Sequence, residues 1–187
     1  SGLEPLSQEG IPLTEAAGRV LSASVRASRA QPPFAASAMD GYAIAASAIR
    51  PGAQFTVVGE APAGHAWPGR LQSGQALRIF TGAPVPEGAD AVVIQEDVTR
   101  QGDTITLGDH LGTGLNIRPE GADFKSDFQL EAPQRLGPAH LALLAAMNVG
   151  DVPVSRRPSV AIIATGDDLV MPGGHPRPAP ITTSTLF

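Results

Sequence analysis

Cysteine is absent from the 187 residues, which removes disulfides and thiolate metal sites and leaves the redox compartment open. Lysine occurs once, at Lys125, and the one basic pair, Arg156-Arg157, reads as part of a loop. With a formal charge of −5 the chain lacks the concentrated cationic face that duplex nucleic acid requires. Aromatics are few, with one Trp, one Tyr and six Phe, so Ala and Val must fill most of the interior. That interior suits thin layers and small barrels. No apolar run reaches the length of a membrane span; the longest helical candidate is Leu141 to Val149. The opening Ser1-Gly2-Leu3-Glu4 has neither the basic nor the apolar part of a signal peptide. Nucleic acid and membrane are therefore not expected partners, and cytoplasm is the expected compartment.

Glycine and proline are plentiful, at 21 and 18, and spread along the chain, which predicts many turns. Pro12 to Arg19 reads as a short helix with Thr14 capping its first amides and Gly18 ending it. Val20 to Ala27 reads as a strand, stopped by Gln31-Pro32-Pro33-Phe34. Short strands follow at Gln54–Val58, Ala76–Phe80, Ala91–Gln95 and Thr104–Leu107, with turn signals between them, the pattern of a β-rich, barrel-like domain. Gly137 to Gly150 is the best helix, with Pro138 at a permitted first position and Gly150 as C-cap. Its predicted apolar stripe is Leu141, Leu144 and Ala145, extending to Asn148, with Met147 beside it. His140 near its start reads as a surface or capping residue. The unbroken apolar run in Val160-Ala161-Ile162-Ile163 predicts a strand buried on both faces of a parallel sheet. Its neighbours are missing from the sequence, so the chain is expected to be a fragment.

Three loops could carry chemistry. In Ser37-Ala38-Met39-Asp40-Gly41-Tyr42-Ala43, Asp-Gly marks a tight turn. Its functional reading is a carboxylate suited to Mg²⁺, with Ser37 beside it and Met39 anchoring the loop; its plain reading is a turn between strands. In Phe80-Thr81-Gly82-Ala83-Pro84-Val85-Pro86, a hydroxyl is followed by a glycine that lets backbone N–H groups approach an oxyanion. The alternative is a rigid turn. Ala164-Thr165-Gly166-Asp167-Asp168 follows the presumed parallel strand, where open α/β sheets place ligands. Its acids suit a metal bridging phosphates, or simply a cap. Arg118, in Asn116-Ile117-Arg118 before Gly121 and Asp123, could hold a tetrahedral oxyanion or a surface salt bridge. Carboxylates, a hydroxyl, an arginine and glycine loops, without a catalytic His–Ser pair, favour a Mg²⁺-dependent reaction at phosphate or oxyanion groups over acyl transfer.

As whole strings these segments are more specific. Pro12-Leu13-Thr14-Glu15-Ala16-Ala17-Gly18-Arg19-Val20-Leu21, the Ser37–Ala43 loop, Ile79 to Val93, Asn116-Ile117-Arg118 with Gly121 and Asp123, and Thr165-Gly166-Asp167-Asp168-Leu169 occur in one order. Together, from about Leu6 to Val170, they resemble the molybdopterin molybdenumtransferases, bacterial relatives of the gephyrin E domain. The resemblance implies an elongated homodimer. It implies a mixed fold, in which an elongated α+β dimerisation domain (1–30 and 128–155) carries an inserted β-rich domain (31–127). Residues 156–187 would begin a truncated molybdopterin-binding α/β domain, represented by its first strand. It further implies insertion of molybdate into adenylated molybdopterin with release of AMP and with Mg²⁺ as the divalent cation. Contact with the molybdopterin adenylyltransferase is part of the same expectation. Carried over by position, Asp40, Thr81 and Asp123 are the expected catalytic residues. Ser37, Gly82, Arg118, Thr165 and Gly166 are the expected substrate-binding residues. Asp168, where the family usually has Glu, is the expected metal ligand. The family's Ile-x-Asp-Ser-Asn-like string is replaced by Ile181-Thr182-Thr183-Ser184-Thr185, and no function is carried onto it. The fragment alone is expected to be inactive. The competing reading is a non-catalytic scaffold or anion-binding module on the same fold.

Overall fold

The structure is a computed structural model, and it describes residues 6–163, Thr165, Leu169–Val170 and Ile181–Thr182. In chain order, β1 (Gln8–Pro12) is followed by β2 (Val20–Leu21) and β3 (Val25–Arg26), then β4 (Ala36–Ser37) and β5 (Gly41–Ile44). The middle of the chain forms β6 (Gln54–Ala61), β7 (Gln75–Ile79), β8 (Ala91–Ile94), β9 (Val98–Gln101) and β10 (Thr104–Leu107). Then come β11 (Ile117–Arg118), β12 (Gln129–Leu130), β13 (Gln134–Arg135), α1 (Pro138–Ala146), β14 (Asp151–Ser155), β15 (Leu169–Val170) and β16 (Ile181–Thr182). The described fold is mostly β, with one α-helix.

Residues far apart in sequence build the first sheet, ordered β1-β14-β2-β13 and antiparallel throughout. Its core joins Ile11 and Leu21 to Leu136, Leu144, Met147, Val152 and Val154. The expected helix at Pro12–Arg19 is only a 3-10 turn, Leu13–Glu15; Pro12 stands at its N-cap position and no side chain caps it. Thr14 therefore does not have the predicted role, whereas Gly18, at φ 73°, does turn the chain after it. The predicted strand at Val20–Ala27 is broken, because the chain changes partners: β2 pairs with β13 and β14, β3 with β12. In α1, Leu144 and Met147 are buried, while Ala145 and Asn148 face outward, so the predicted stripe is rotated. Asn148, not Gly150, takes the left-handed position after the helix, at φ 61°. His140 does cap: its Nδ1 accepts the Gly137 amide at 3.2 Å.

The second sheet has six strands in the order β8-β5-β7-β6-β10-β9. All four strands expected between residues 54 and 107 are present, and β6 runs on to Ala61. The sheet is a curled half-barrel. Five interstrand steps would put its edges about 24 Å apart if it were flat. Yet the edge strands β8 and β9 are joined only by the short turn Gln95–Asp97, and the four Cα steps from Ile94 to Val98 reach at most about 15 Å. The sheet must bend for the chain to cross that opening, and an irregularity between Val57 and Glu60 in the parallel β6–β7 pair marks one bend. Both faces are covered: Tyr42, Ile44, Phe55 and Ile105 belong to one apolar cluster, Ala43, Leu77, Ile79 and Val92 to another.

The strand expected at Val160–Ile163 does not form, and Ile163 is 82 % exposed. A strand buried on both faces needs paired neighbours at its edges and layers covering its faces, and no described strand lies beside it. A parallel ladder occurs later instead, pairing Leu169 with Ile181 and Val170 with Thr182. Among the described residues, no helix is long and apolar enough to cross a membrane.

Candidate functional site

Two of the predicted loops are knitted together by backbone hydrogen bonds. The Ser37 amide donates to the Ala83 carbonyl, and the Gly82 amide donates to the Ser37 carbonyl, both at 2.9 Å. On its other edge β4 pairs with β11, Ser37 opposite Ile117 and Ala36 opposite Arg118. The Ala38 amide donates to the Asn116 carbonyl at 2.8 Å, with Asn116 itself at φ 51°. Gly41 then enters β5 against β8 so closely that a Cβ there would lie 2.0 Å from the Val93 carbonyl oxygen. Glycine is required at this position by the close approach of a neighbouring backbone, not by its own torsion angles.

This frame brings Asp40 and Thr81 into direct contact. One carboxylate oxygen, Oδ1, accepts both the Thr81 amide at 2.8 Å and the Thr81 hydroxyl at 2.7 Å. The amide first, and the hydroxyl next, hold the Asp40 carboxyl below its ordinary pKa; desolvation opposes them, and the Arg78 guanidinium adds to the lowering. At neutral pH Asp40 is a carboxylate, able to accept hydrogen bonds or attract positive charge but poorly placed to donate a proton.

The remaining expected residues are arranged differently. Ser37 is 1 % exposed and its hydroxyl donates to the Met39 carbonyl at 2.6 Å, so it shapes the loop from within. Met39 is 43 % exposed and does not anchor the loop as expected. Gly82 adopts φ 84°, and its own amide is engaged by the Ser37 carbonyl. Arg118 Nη2 binds Asp123 Oδ1 at 2.7 Å, with both side chains about half exposed. Arg118 thus forms the salt bridge that was its plainer reading. No hydrogen bond among the described residues joins Asp123 to Asp40 or Thr81. The register of β4 on β11 sets Arg118 toward the opposite end of β4 from Asp40. Thr165 is exposed and outside any regular element, while Gly166 and Asp168 lie outside the described residues.

Arg78 is a neighbour that motif reading missed. It lies on β7, three residues before Thr81, with its guanidinium carbon 5.2 Å from the Tyr42 ring centroid and 4.7 Å from that of Phe80. Its Nη1 donates to the Gly41 carbonyl at 3.2 Å and its Nη2 to Gln95 Oε1. The signal available in sequence was only Arg-Ile-Phe-Thr: an arginine and Phe80 two apart in extended chain face the same way.

Mg²⁺ takes six oxygens in near-octahedral order, usually one or two carboxylates with waters. Oδ1 of Asp40 already accepts two donors from Thr81, and the described residues contain no group of three acidic, His or Cys side chains that could hold a metal.

Comparison with known proteins agrees with the strings that carry these loops. Residues 2–148 match the family described as the MoeA N-terminal region (domain I and II). The molybdopterin molybdenumtransferase of Haemophilus influenzae is 39% identical over 171 residues, covering 90% of this chain and 42% of that protein. Its counterpart in Nostoc sp. is 37% identical, covering 96% of this chain and 42% of that protein. Among solved structures, the molybdopterin biosynthesis moeA protein from Pyrococcus horikoshii OT3 superposes with a TM-score of 0.81 at 36% identity, covering 90% of this chain and 46% of that one. The chain therefore spans less than half the length of these relatives. With the family match over most of its residues, and the Asp40–Thr81 loops folded as one unit, this chain belongs to the MoeA family.

Proposed function

We propose that this chain is part of an enzyme of molybdenum cofactor biosynthesis that inserts molybdate into adenylated molybdopterin and releases AMP. The observation that carries the reading is the Asp40–Thr81 pair. It is an ionised carboxylate held by two donors from one residue, on an open loop surface, in a chain whose relatives are named for this transfer. Asp40 and Thr81 are assigned to orienting the reacting oxyanion or its water. Arg118 and Asp123 form a second charged pair at the margin of the same frame, with Arg118 as an oxyanion contact once its salt bridge opens. Ser37 and Gly82 act on substrate through the loop shape that they hold. Thr165, Gly166 and Asp168 are assigned to the pterin-nucleotide side of the site, Asp168 as a metal ligand. Mg²⁺, as the family implies, would neutralise phosphate charge when bound, and no step is assigned to it at Asp40.

The same proposal includes a division into an elongated unit (1–30 with 128–155), an inserted β-rich unit (31–127) and the start of an α/β unit (156–187). It also includes a cytoplasmic homodimer that meets the molybdopterin adenylyltransferase. The test is AMP release by the full protein from adenylated molybdopterin, with and without molybdate. Asp40→Asn should cut the rate by about a hundredfold or more while leaving the circular dichroism spectrum unchanged. Unaltered turnover by that variant would remove Asp40 from the reaction. Stable pterin binding without AMP release by the unaltered protein would favour a binding module instead.

A further inference from the structure

We propose that Arg78 is a positioning residue for Asp40, locking the turn that carries this carboxylate through the Gly41 carbonyl on one side and Gln95 on the other. The proposal rests on the site reading above and deepens it.

The argument is geometric. Asp40 sits in a short turn between β4 and β5, and its own main chain has few anchors: its carbonyl accepts the Gln95 amide at 3.1 Å. Arg78 bridges the two residues that flank this anchor. Nη1 holds the carbonyl of Gly41, the residue after Asp40, and Nη2 holds the side chain of Gln95, whose amide already grips Asp40. The guanidinium carbon lies over the rings of both Tyr42, on β5, and Phe80, just after β7. Two rings and two acceptors restrict a long side chain that would otherwise sample many rotamers. Tyr42 follows Asp40 by two residues and Phe80 immediately precedes Thr81. One side chain thus fixes both loops that meet at the Asp40–Thr81 hydrogen bonds.

A lysine could supply the charge but not the fork, because an ammonium is a single point with no planar face to stack. Charge and placement can therefore be separated. In the full protein, Arg78→Lys should keep Asp40 titrating close to its original midpoint, yet lower kcat for AMP release by about ten- to a hundredfold with KM for the pterin nucleotide little changed. Arg78→Met should lower kcat as far and also raise the Asp40 midpoint, read from its carboxyl carbon resonance. Gln95→Ala removes only the outer arm and should show a smaller loss of kcat. Should Arg78→Met fail to fold, the lysine and Gln95 variants carry the test. Wild-type kcat in both Arg78→Lys and Gln95→Ala would overturn the proposal. If the unaltered protein releases no AMP, the functional reading fails by itself. Positioning is then judged by the Asp40–Thr81 contact, read as protection of the Thr81 amide from hydrogen exchange: loss of protection in Arg78→Lys supports it, and retention overturns it.

Discussion

Thr81 offers two donors to one oxygen of Asp40, and a change to alanine removes only the hydroxyl. Thr81→Ala deletes the hydroxyl and leaves the amide, so the Asp40 carboxyl should titrate higher than in the parent yet still below an exposed aspartate. Thr81→Ser should stay near the parent. Carboxyl resonances followed against pH measure both, and equal midpoints in all three proteins would deny the hydroxyl its part. The sign of the stability linkage follows. A carboxyl whose pKa is lowered on folding stabilises the fold above its unfolded value, and that contribution disappears as pH falls through the lowered, folded value. At neutral pH it is fully present, so Asp40→Asn is expected to cost some stability there and progressively less in acid. Sequence singled out Asp40 and Thr81 through turn signals and the family resemblance, and the contact between their side chains is what the structure adds. Arg78 was not singled out, because its contacts with the Tyr42 and Phe80 rings arise only when the sheet brings β5 beside β7. That the Ser37 hydroxyl and the Gly82 amide are spent on holding their own loops was not legible, since sequence does not show which donors a loop uses to hold itself.

Elements were readable where local signals agree with tertiary partners. β10 matches its predicted bounds at Thr104–Leu107, and β6 to β8 were found with ends shifted by a few residues. The strand failures turn on long-range pairing, which the local pattern does not show. Val20–Ala27 carries one strand pattern but serves two sheets, and Val160–Ile163 has a strand composition with no described strand beside it. Glycine against asparagine at the end of α1 is the remaining kind of error: both tolerate the left-handed region, and the helix stopped at the earlier one. That choice is testable. Asn148→Ala should destabilise the chain by about 1 kcal/mol, whereas Asn148→Gly should be neutral or slightly stabilising. Urea midpoints of the two variants check this, and an alanine variant as stable as the parent would mean that the turn relaxes without cost. Gly41 sits in a harsher setting, since the atom met by an added Cβ is backbone. Gly41→Ala must part β5 from β8, and it should disturb the Asp40 turn more than any change at Asn148.

Across the whole molecule, chain order and spatial order diverge. The apolar cluster under the first sheet draws on Ile11 and Leu21 from one end of the described chain and on Leu144, Val152 and Val154 from the other. The six-stranded sheet draws on nothing outside residues 41–107. Phe124, packed 5.7 Å from Phe128 between ring centroids, belongs to the first cluster although its sequence neighbours lead back toward the β4–β11 pair. Such an arrangement lets an inner segment fold on local contacts while the outer unit waits for its two halves to meet. The single tryptophan separates the two experimentally: Trp67 packs against the cluster containing Leu77 and Ile79, far in sequence from α1. Leu144 is completely buried in the other cluster, and Leu144→Ala should cost about 2–5 kcal/mol. In a denaturant titration that loss should appear in the helical circular dichroism signal and leave the midpoint of Trp67 fluorescence unmoved. Equal shifts of both signals would mean that the curled sheet and the two-ended core unfold as one unit, and the proposed division at residues 30 and 128 would then have no thermodynamic meaning.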